Sequence, residues 1–378
     1  MKQTAVVVAP GQGKYNRSEV GDGFLAKSRA QCVKLCNETA VVVAPGQGKY
    51  NRSEVGYLSR HHPDKAGLIA EFDALRAALG QKTVTELDTA DRFSGPVHTR
   101  GDNASALIYA CSYADFLSID AGRYEIVGVT GNSMGWYTAL ACAGALSPLG
   151  GLEVVNTMGT LMQEHLIGGQ LIYPFVDAAW REIPGERARI LAKVAEINAR
   201  SGHVLAVSID LGGMLVLAGD EAGLAAFEAG MPRVQERFPM RLPNHAGFHT
   251  RLQEPVAAAG RRRLGLDLFR QPRHTLIDGR GGLWRPGACG LEALRSYTLG
   301  HQVVETYDFT AALRVAAREL MPDVFIVLGP GATLGGATAQ SLLMSGWRGM
   351  QSKDDFQTAQ SERLRMISMG REDQRQAA

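Results

Sequence analysis

Residues 125–137, EIVGVTGNSMGWY, carry a short β-rich run into the start of a helical stretch through Gly131-Asn132-Ser133-Met134-Gly135. A strand that becomes a helix over so few residues leaves no room for a Cβ two places either side of the serine, so glycines stand there. Such an elbow pushes the serine Oγ clear of its own backbone. The chain is therefore expected to be an α/β protein, with Ser133 as candidate nucleophile. The main-chain N–H of Met134, at the mouth of the new helix, is placed to face a tetrahedral oxyanion, and the helix dipole adds partial positive charge there. Acyl chemistry needs two more groups, a second N–H donor and a histidine that takes the serine proton.

The 378 residues suffice for one large domain with an insert, or for two domains. A hydrophobic content of 45% with 44 glycines fits a soluble α/β protein, and a net charge of +2 without a basic tail argues against a dedicated nucleic-acid binder. Cys32, Cys36, Cys111, Cys142 and Cys289 are odd in number and lack CxxC spacing, so they read as reduced thiols of a cytoplasmic protein rather than a disulfide framework or a zinc site. MKQTAVVVAPGQG is too short an apolar run for a signal peptide, and no membrane-spanning stretch follows.

TAVVVAPGQGKYNRSEVG occurs twice without a difference, at 4–21 and 39–56. Solenoid repeats drift and recur three times or more, so the two identical copies are not an architecture and read as a recent duplication or a feature introduced into the chain. Each copy reads as a strand, Ala5–Ala9 or Ala40–Ala44, running into a Pro-Gly-Gln-Gly turn rich in N–H groups. The second copy is followed by an amphipathic helix with Leu68, Ile69, Phe72, Leu75 and Leu79 at helical spacing, so the second copy is expected to fill the sheet and 1–38 to be an appendage.

Further helices are expected at 103–117, 136–146, 151–164, 250–263 and 310–321, with strands at 273–278 and 323–331. Between 165 and 243 the helix 186–200, the strands HVLAVSID and GMLVLAGD and the helix EAGLAAFEAGM alternate over a short span, which predicts a small inserted α+β subdomain. The core is then 39–164 with 244–350, and 351–378 reads as a polar tail. LGPGATLGG at 328–336 resembles a phosphate-binding loop but lacks its lysine, and reads as a turn.

PGQG (45–48), GNSMG (131–135) with ALACAGALS (139–147), LMQE (161–164), GFH (247–249) and LGPG (328–331) together resemble the malonyl-CoA:acyl carrier protein transacylases and the acyltransferase domains of polyketide synthases. The resemblance runs in order over roughly 39–345 and implies an α/β-hydrolase-like core with a ferredoxin-like insert. It implies Ser133 as acyl acceptor, His249 as its base, and the N–H of Gln47 (Gln12 in the first copy) as the oxyanion donor beside Met134. His245 is the competing base. The group that orients the histidine is expected at Asp308, in TYDFT, giving a Ser–His–Asp arrangement.

Three residues depart from the family pattern. Met158 stands where malonyl-selective members carry an arginine, and Ala104 stands where they carry a glutamine. Asn132 replaces a common histidine, and Phe248 completes the expected substrate pocket. A thioether cannot neutralise a carboxylate, so an uncharged acyl group is expected. The implied activity is transfer from acyl-CoA to the phosphopantetheine thiol of an acyl carrier protein, with no cofactor, metal, nucleic acid or membrane. An acyl-thioester hydrolase uses the same residues with water as acceptor, and an inactive scaffold is the non-enzymatic alternative. Arg261-Arg262-Arg263 offers a basic face for an acidic carrier or for phosphates, or is simply a solvated helix face.

Overall fold

The structure, a computed structural model, describes residues 37–378. The first repeat copy, with Gln12, Cys32, Cys36 and the rest of the expected appendage, lies outside the described residues. The strands are β1 (Glu38–Ala44), β2 (Tyr124–Gly131), β3 (Gly169–Pro174), β4 (Leu205–Asp210), β5 (Met214–Gly219), β6 (Met240–Leu242), β7 (Thr275–Ile277), β8 (Leu283–Trp284), β9 (Tyr307–Asp308), β10 (Val324–Val327) and β11 (Met366–Ser368). The longer helices are α1 (Ala66–Ala78), α2 (Gly101–Phe116), α3 (Gly135–Cys142), α4 (Pro148–Glu164), α5 (Glu186–Asn198), α6 (Glu221–Gly230), α7 (Glu254–Arg263), α8 (Phe309–Val315), α9 (Thr333–Met344) and α10 (Lys353–Glu362).

The larger sheet has the order β11-β10-β1-β2-β7-β8 and is parallel except for the last pair. β1 comes from the second repeat copy and lies between β10 and β2. Its residues Ala40 to Ala44 are wholly buried. A central parallel strand covered on both faces must be apolar throughout, which is why AVVVA reads without alternation. α2 is buried over Gly101 to Asp115 because its small residues let α4 approach closely: a Cβ on Gly101 would stand 2.9 Å from the Gly159 carbonyl oxygen. The buried Arg76 of α1 ties these helices together, donating to Asn103 Oδ1 at 2.6 Å, to the Asp102 carbonyl at 2.9 Å and to Asn156.

Residues 169–242 run β3-α5-β4-β5-α6-β6, a βαββαβ unit, in the sheet order β6-β3-β5-β4-β9. That is the ferredoxin-like insert. Its fifth strand, β9, comes from beyond the insert and pairs in parallel with β4. The expected polar tail is a correction. Residues 353–375 form α10, the edge strand β11 paired with β10, and a last helical turn. That turn's Arg375 donates to the buried Asp115 at 2.8 Å. Phe356, Met366, Ile367 and Met369 are the segment's buried apolar residues, too scattered among polar ones to read as a strand or helix from sequence.

Candidate active site

β1 and β2 end side by side, with Ala44 opposite Gly131, and the chain turns sharply after each. Asn132 N–H donates to the Ala44 carbonyl at 2.9 Å, and Gly135 and Trp136 N–H groups close the turn onto Asn132 and Ser133 carbonyls at 2.8 and 2.9 Å. A Cβ on Gly131 would stand 2.2 Å from the Gly135 oxygen, and one on Gly135 would stand 2.2 Å from that of Ala44. No side chain fits at either place. Ser133 is held at φ 56°, the left-handed region that a nucleophile elbow imposes and that non-glycine residues seldom occupy.

His249 sits on the loop that leaves the insert after β6, also at φ 56°. Its Nε2 is 2.7 Å from Ser133 Oγ. Its Nδ1 lies 2.6 Å from the main-chain carbonyl oxygen of Gln302. A carbonyl only accepts, so Nδ1 carries the proton and Nε2 is left to accept from the serine. The ring is 4% exposed, and burial lowers its pKa to about 4 against the opposing pull of the Gln302 carbonyl. The imidazole is neutral at pH 7, as a base must be. Gln302 follows a π-helical turn, Tyr297–His301, of the kind that re-aims backbone at functional sites. Its side chain also donates to the Ser133 carbonyl at 3.1 Å and accepts from Tyr137 OH at 2.9 Å. One residue thus fixes both the histidine and the elbow.

Asp308 is a correction. Its carboxylate accepts from the Ala311 N–H at 2.7 Å and caps α8, and burial raises its pKa. A carboxylate at a strand-to-helix junction is drawn to the free N–H groups of the helix start, and a carbonyl, not an acid, supports His249. His245 is not paired with Ser133 either: its Nδ1 lies 2.7 Å from Gln170 Oε1.

The PGQG turn abuts the elbow. A Cβ on Gly46 would lie 2.7 Å from the Asn132 carbonyl oxygen and 3.5 Å from Ser133 Cβ. Gln47 lines the cavities around Ser133, and its side chain reaches Ser105 Oγ at 3.5 Å. Among the described residues the main-chain N–H groups of Met134 and Gln47 donate to no protein acceptor. Two donors beside a nucleophile, free of protein partners, suit an oxyanion.

Two cavities meet at Ser133. The smaller is lined by Ser105, Met134, Tyr137, Gly159, Met162 and Phe248 and holds no lysine, arginine or carboxylate. The larger runs between the insert's sheet and the start of α9, with Asn132 and Phe248 in its wall. Met158 and Ala104 line neither, which corrects their expected place. Met158 is wholly buried, its Sδ 2.7 Å from where a Cβ on Gly260 of α7 would stand. One residue along a helix turns a side chain by about 100°, so Gly159 and Ser105, the next residues on α4 and α2, face the site instead. Neither these nor Gln302 had been singled out. Gln302 acts on the histidine through its main chain and leaves no side-chain signature there. Gly159 and Met162 lie beside or within the LMQE motif, which marked the helix without saying which face is inward.

Among the described residues no group of histidine, cysteine and acidic side chains could hold a metal ion, and no helix is long and apolar enough to cross a membrane. Cys111, Cys142 and Cys289 are buried free thiols. Arg261 is engaged, with Glu254 at 3.3 Å and the Leu299 carbonyl at 3.2 Å, while Arg262 and Arg263 are exposed.

Fold and site together define a class: an α/β-hydrolase-like core carrying a ferredoxin-like insert, with a serine–histidine pair in the crevice between them. The chain is 26% identical over 215 residues to the malonyl CoA-acyl carrier protein transacylases of Salmonella typhimurium and Escherichia coli, covering 56% of this chain and 64% of each relative. It thus spans just under two thirds of the length of those curated relatives. A non-reducing polyketide synthase of Aspergillus novofumigatus is 26% identical over 178 residues, 47% of this chain and 7% of that protein. The crystal structure of the Xanthomonas oryzae malonyl-CoA:acyl carrier protein transacylase superposes with a TM-score of 0.70 at 20% identity, covering 90% of this chain and 97% of that one. A malonyl-transacylase solved with its type II polyketide synthase carrier protein gives 0.67 at 19% identity, over 86% and 100%. No family model matches the chain. The relatives bear out the resemblance read from the sequence, and the solved structures bear out the fold.

Proposed function

We propose that this protein moves a short, uncharged acyl group from acyl-CoA to the phosphopantetheine thiol of an acyl carrier protein through an acyl-Ser133 intermediate. The observation that carries the reading is the 2.7 Å contact between Ser133 Oγ at the elbow and the accepting Nε2 of His249. Ser133 Oγ attacks the thioester carbonyl and gives its proton to Nε2, while the N–H groups of Met134 and Gln47 hold the oxyanion. The tetrahedral species collapses, the C–S bond breaks, and the proton passes from His249 to the departing thiolate. The carrier's thiol then loses its proton to Nε2 and attacks the ester carbonyl, the acyl C–Oγ bond breaks, and His249 returns the proton to Ser133 Oγ. The Gln302 carbonyl holds the imidazolium in place during both halves without a buried carboxylate. The neutral lining of the smaller cavity supports an acyl group without charge, since a carboxylate left unpaired there would cost several kcal/mol.

Intact-protein mass spectrometry after incubation with acetyl-, butyryl- and malonyl-CoA tests this reading. The protein should gain an uncharged acyl mass, hold it against water, and pass it to a holo-carrier protein. An adduct of equal amount on Ser133→Ala would overturn the intermediate, and rapid release of free acid without a carrier would make the protein a hydrolase.

A further inference from the structure

The larger cleft contains no carboxylate, yet two cations line it. Lys49, directly after the PGQG turn, is half-buried, and its Nζ donates to Thr333 Oγ1 at 2.7 Å, at the first turn of α9. Among the described residues it has no acidic partner. Arg237 lies at the rim on the insert, its guanidinium 4.6 Å above the Phe238 ring, and is likewise unpaired with any acid. His245 beside them is neutral: burial, then the charge of Lys49, lower its pKa to about 4. Burial brings Lys49 itself down to about 8, so it remains mostly charged at neutral pH. A half-buried ammonium without a counter-ion, next to a helix N-terminus, is set for an anionic ligand. Nearer the nucleophile, Asn132 is 7% exposed, lines the same cleft, and leaves its Oδ1 without a hydrogen-bond partner. That acceptor suits an amide N–H.

Placement decides which anion. Lys49 and Arg237 line the larger cleft and are absent from the wall of the smaller cavity that takes the acyl group. A short dicarboxylic acyl group held in the smaller cavity does not meet them. A long arm with an amide near its thioester and a phosphate at its far end matches both groups. On the acyl-transfer reading given above, we propose that Lys49, with Arg237 at the rim, holds the phosphate of the phosphopantetheine arm, and that Asn132 receives the amide nearest the thioester. The cleft thereby selects thioesters that carry the phosphorylated arm, whether borne on coenzyme A or on a carrier.

The test compares acetyl-CoA with acetyl-N-acetylcysteamine, which keeps the thioester and its first amide and lacks the phosphate. The ratio of kcat/KM for the two donors should fall about tenfold or more in Lys49→Met, chiefly through KM for acetyl-CoA, and Lys49→Arg should restore most of it. An unchanged ratio would overturn the proposal, and so would a loss confined to malonyl-CoA, which would assign Lys49 to an acyl carboxylate. If the unmodified protein loads no acyl group at all, the acyl-transfer reading fails separately. Binding of 4′-phosphopantetheine against pantetheine then decides on Lys49. A preference of about tenfold that disappears in Lys49→Met supports the site, and equal affinities in the unmodified protein refute it.

Discussion

Ser133 and His249 both occupy left-handed backbone, an arrangement that persists only where the surroundings over-determine it. The strands, turns and Gln302 contacts around them supply that determination. Ser133→Ala should abolish acyl-enzyme formation, and His249→Ala should slow it by about 10³-fold or more, read by single-turnover mass spectrometry. Since the histidine acts as a neutral base and its pKa is lowered to about 4, the working form is present above that value and lost below it. The rate of acylation should stay level from neutrality to about pH 5 and then fall, where an ordinary histidine would already fail near 6.5. A midpoint near 6.5 in a stopped-flow pH profile would show that the imidazole is more solvated than its surroundings here make it. Gln302→Ala keeps the main-chain carbonyl on His249 and removes the side-chain bonds to Ser133 and Tyr137. Its kcat should drop about tenfold with little change in KM, far less than loss of the histidine.

At the scale of elements, α2 and α4 form the floor of the acyl cavity, and which of their faces looks inward sets what can be bound. The reading of Met158 as a pocket residue would make Met158→Arg a gain of malonyl selectivity. Its buried place against Gly260 makes the opposite outcome the expected one. A guanidinium there has no solvent and no acid, so the variant should lose about 3 kcal/mol or more in urea unfolding without gaining malonyl-CoA activity. An unchanged midpoint with a shift toward malonyl would show that the side chain swings into the cavity. The elements themselves were unevenly legible. The elbow, the strand DVFIVLGPG and the insert's alternation follow from local chemistry. β3 and β11 did not stand out, because GQLIYP and MIS are short and take their hydrogen-bond partners from distant segments. Asp308 was misread for a related reason: a carboxylate near a histidine in a family pattern looks like a triad member until the helix it caps is seen.

The whole molecule depends on β1, which joins β10 and β2 and places the PGQG turn beside the elbow. That strand belongs to the second copy of the repeat, and Thr39 fastens its start through bonds of 3.0 and 2.9 Å to Asp323. A protein beginning at Asn37 should therefore unfold cooperatively and load an acyl group at the rate of the full chain, checked by circular dichroism melting and by mass spectrometry. Loss of cooperativity on this truncation would assign the first copy a structural part.

What the sequence determined by itself is the set of local necessities. Glycines two places either side of a serine, between a strand and a helix, mark an elbow; an unbroken AVVVA suits a buried parallel strand; and the helix–strand–strand–helix alternation after residue 186 marks a small inserted subdomain. These follow from sterics and periodicity within a few residues. Only the tertiary structure decided what depends on direction in space: which face of α4 looks into the cavity, that a main-chain carbonyl and not Asp308 supports His249, and that Lys49, from the repeated segment, lines the cleft with Arg237 and no acid. Main-chain partners carry no residue identity, and the inward face of a helix is set by its neighbours, so neither is written in the order of amino acids nearby.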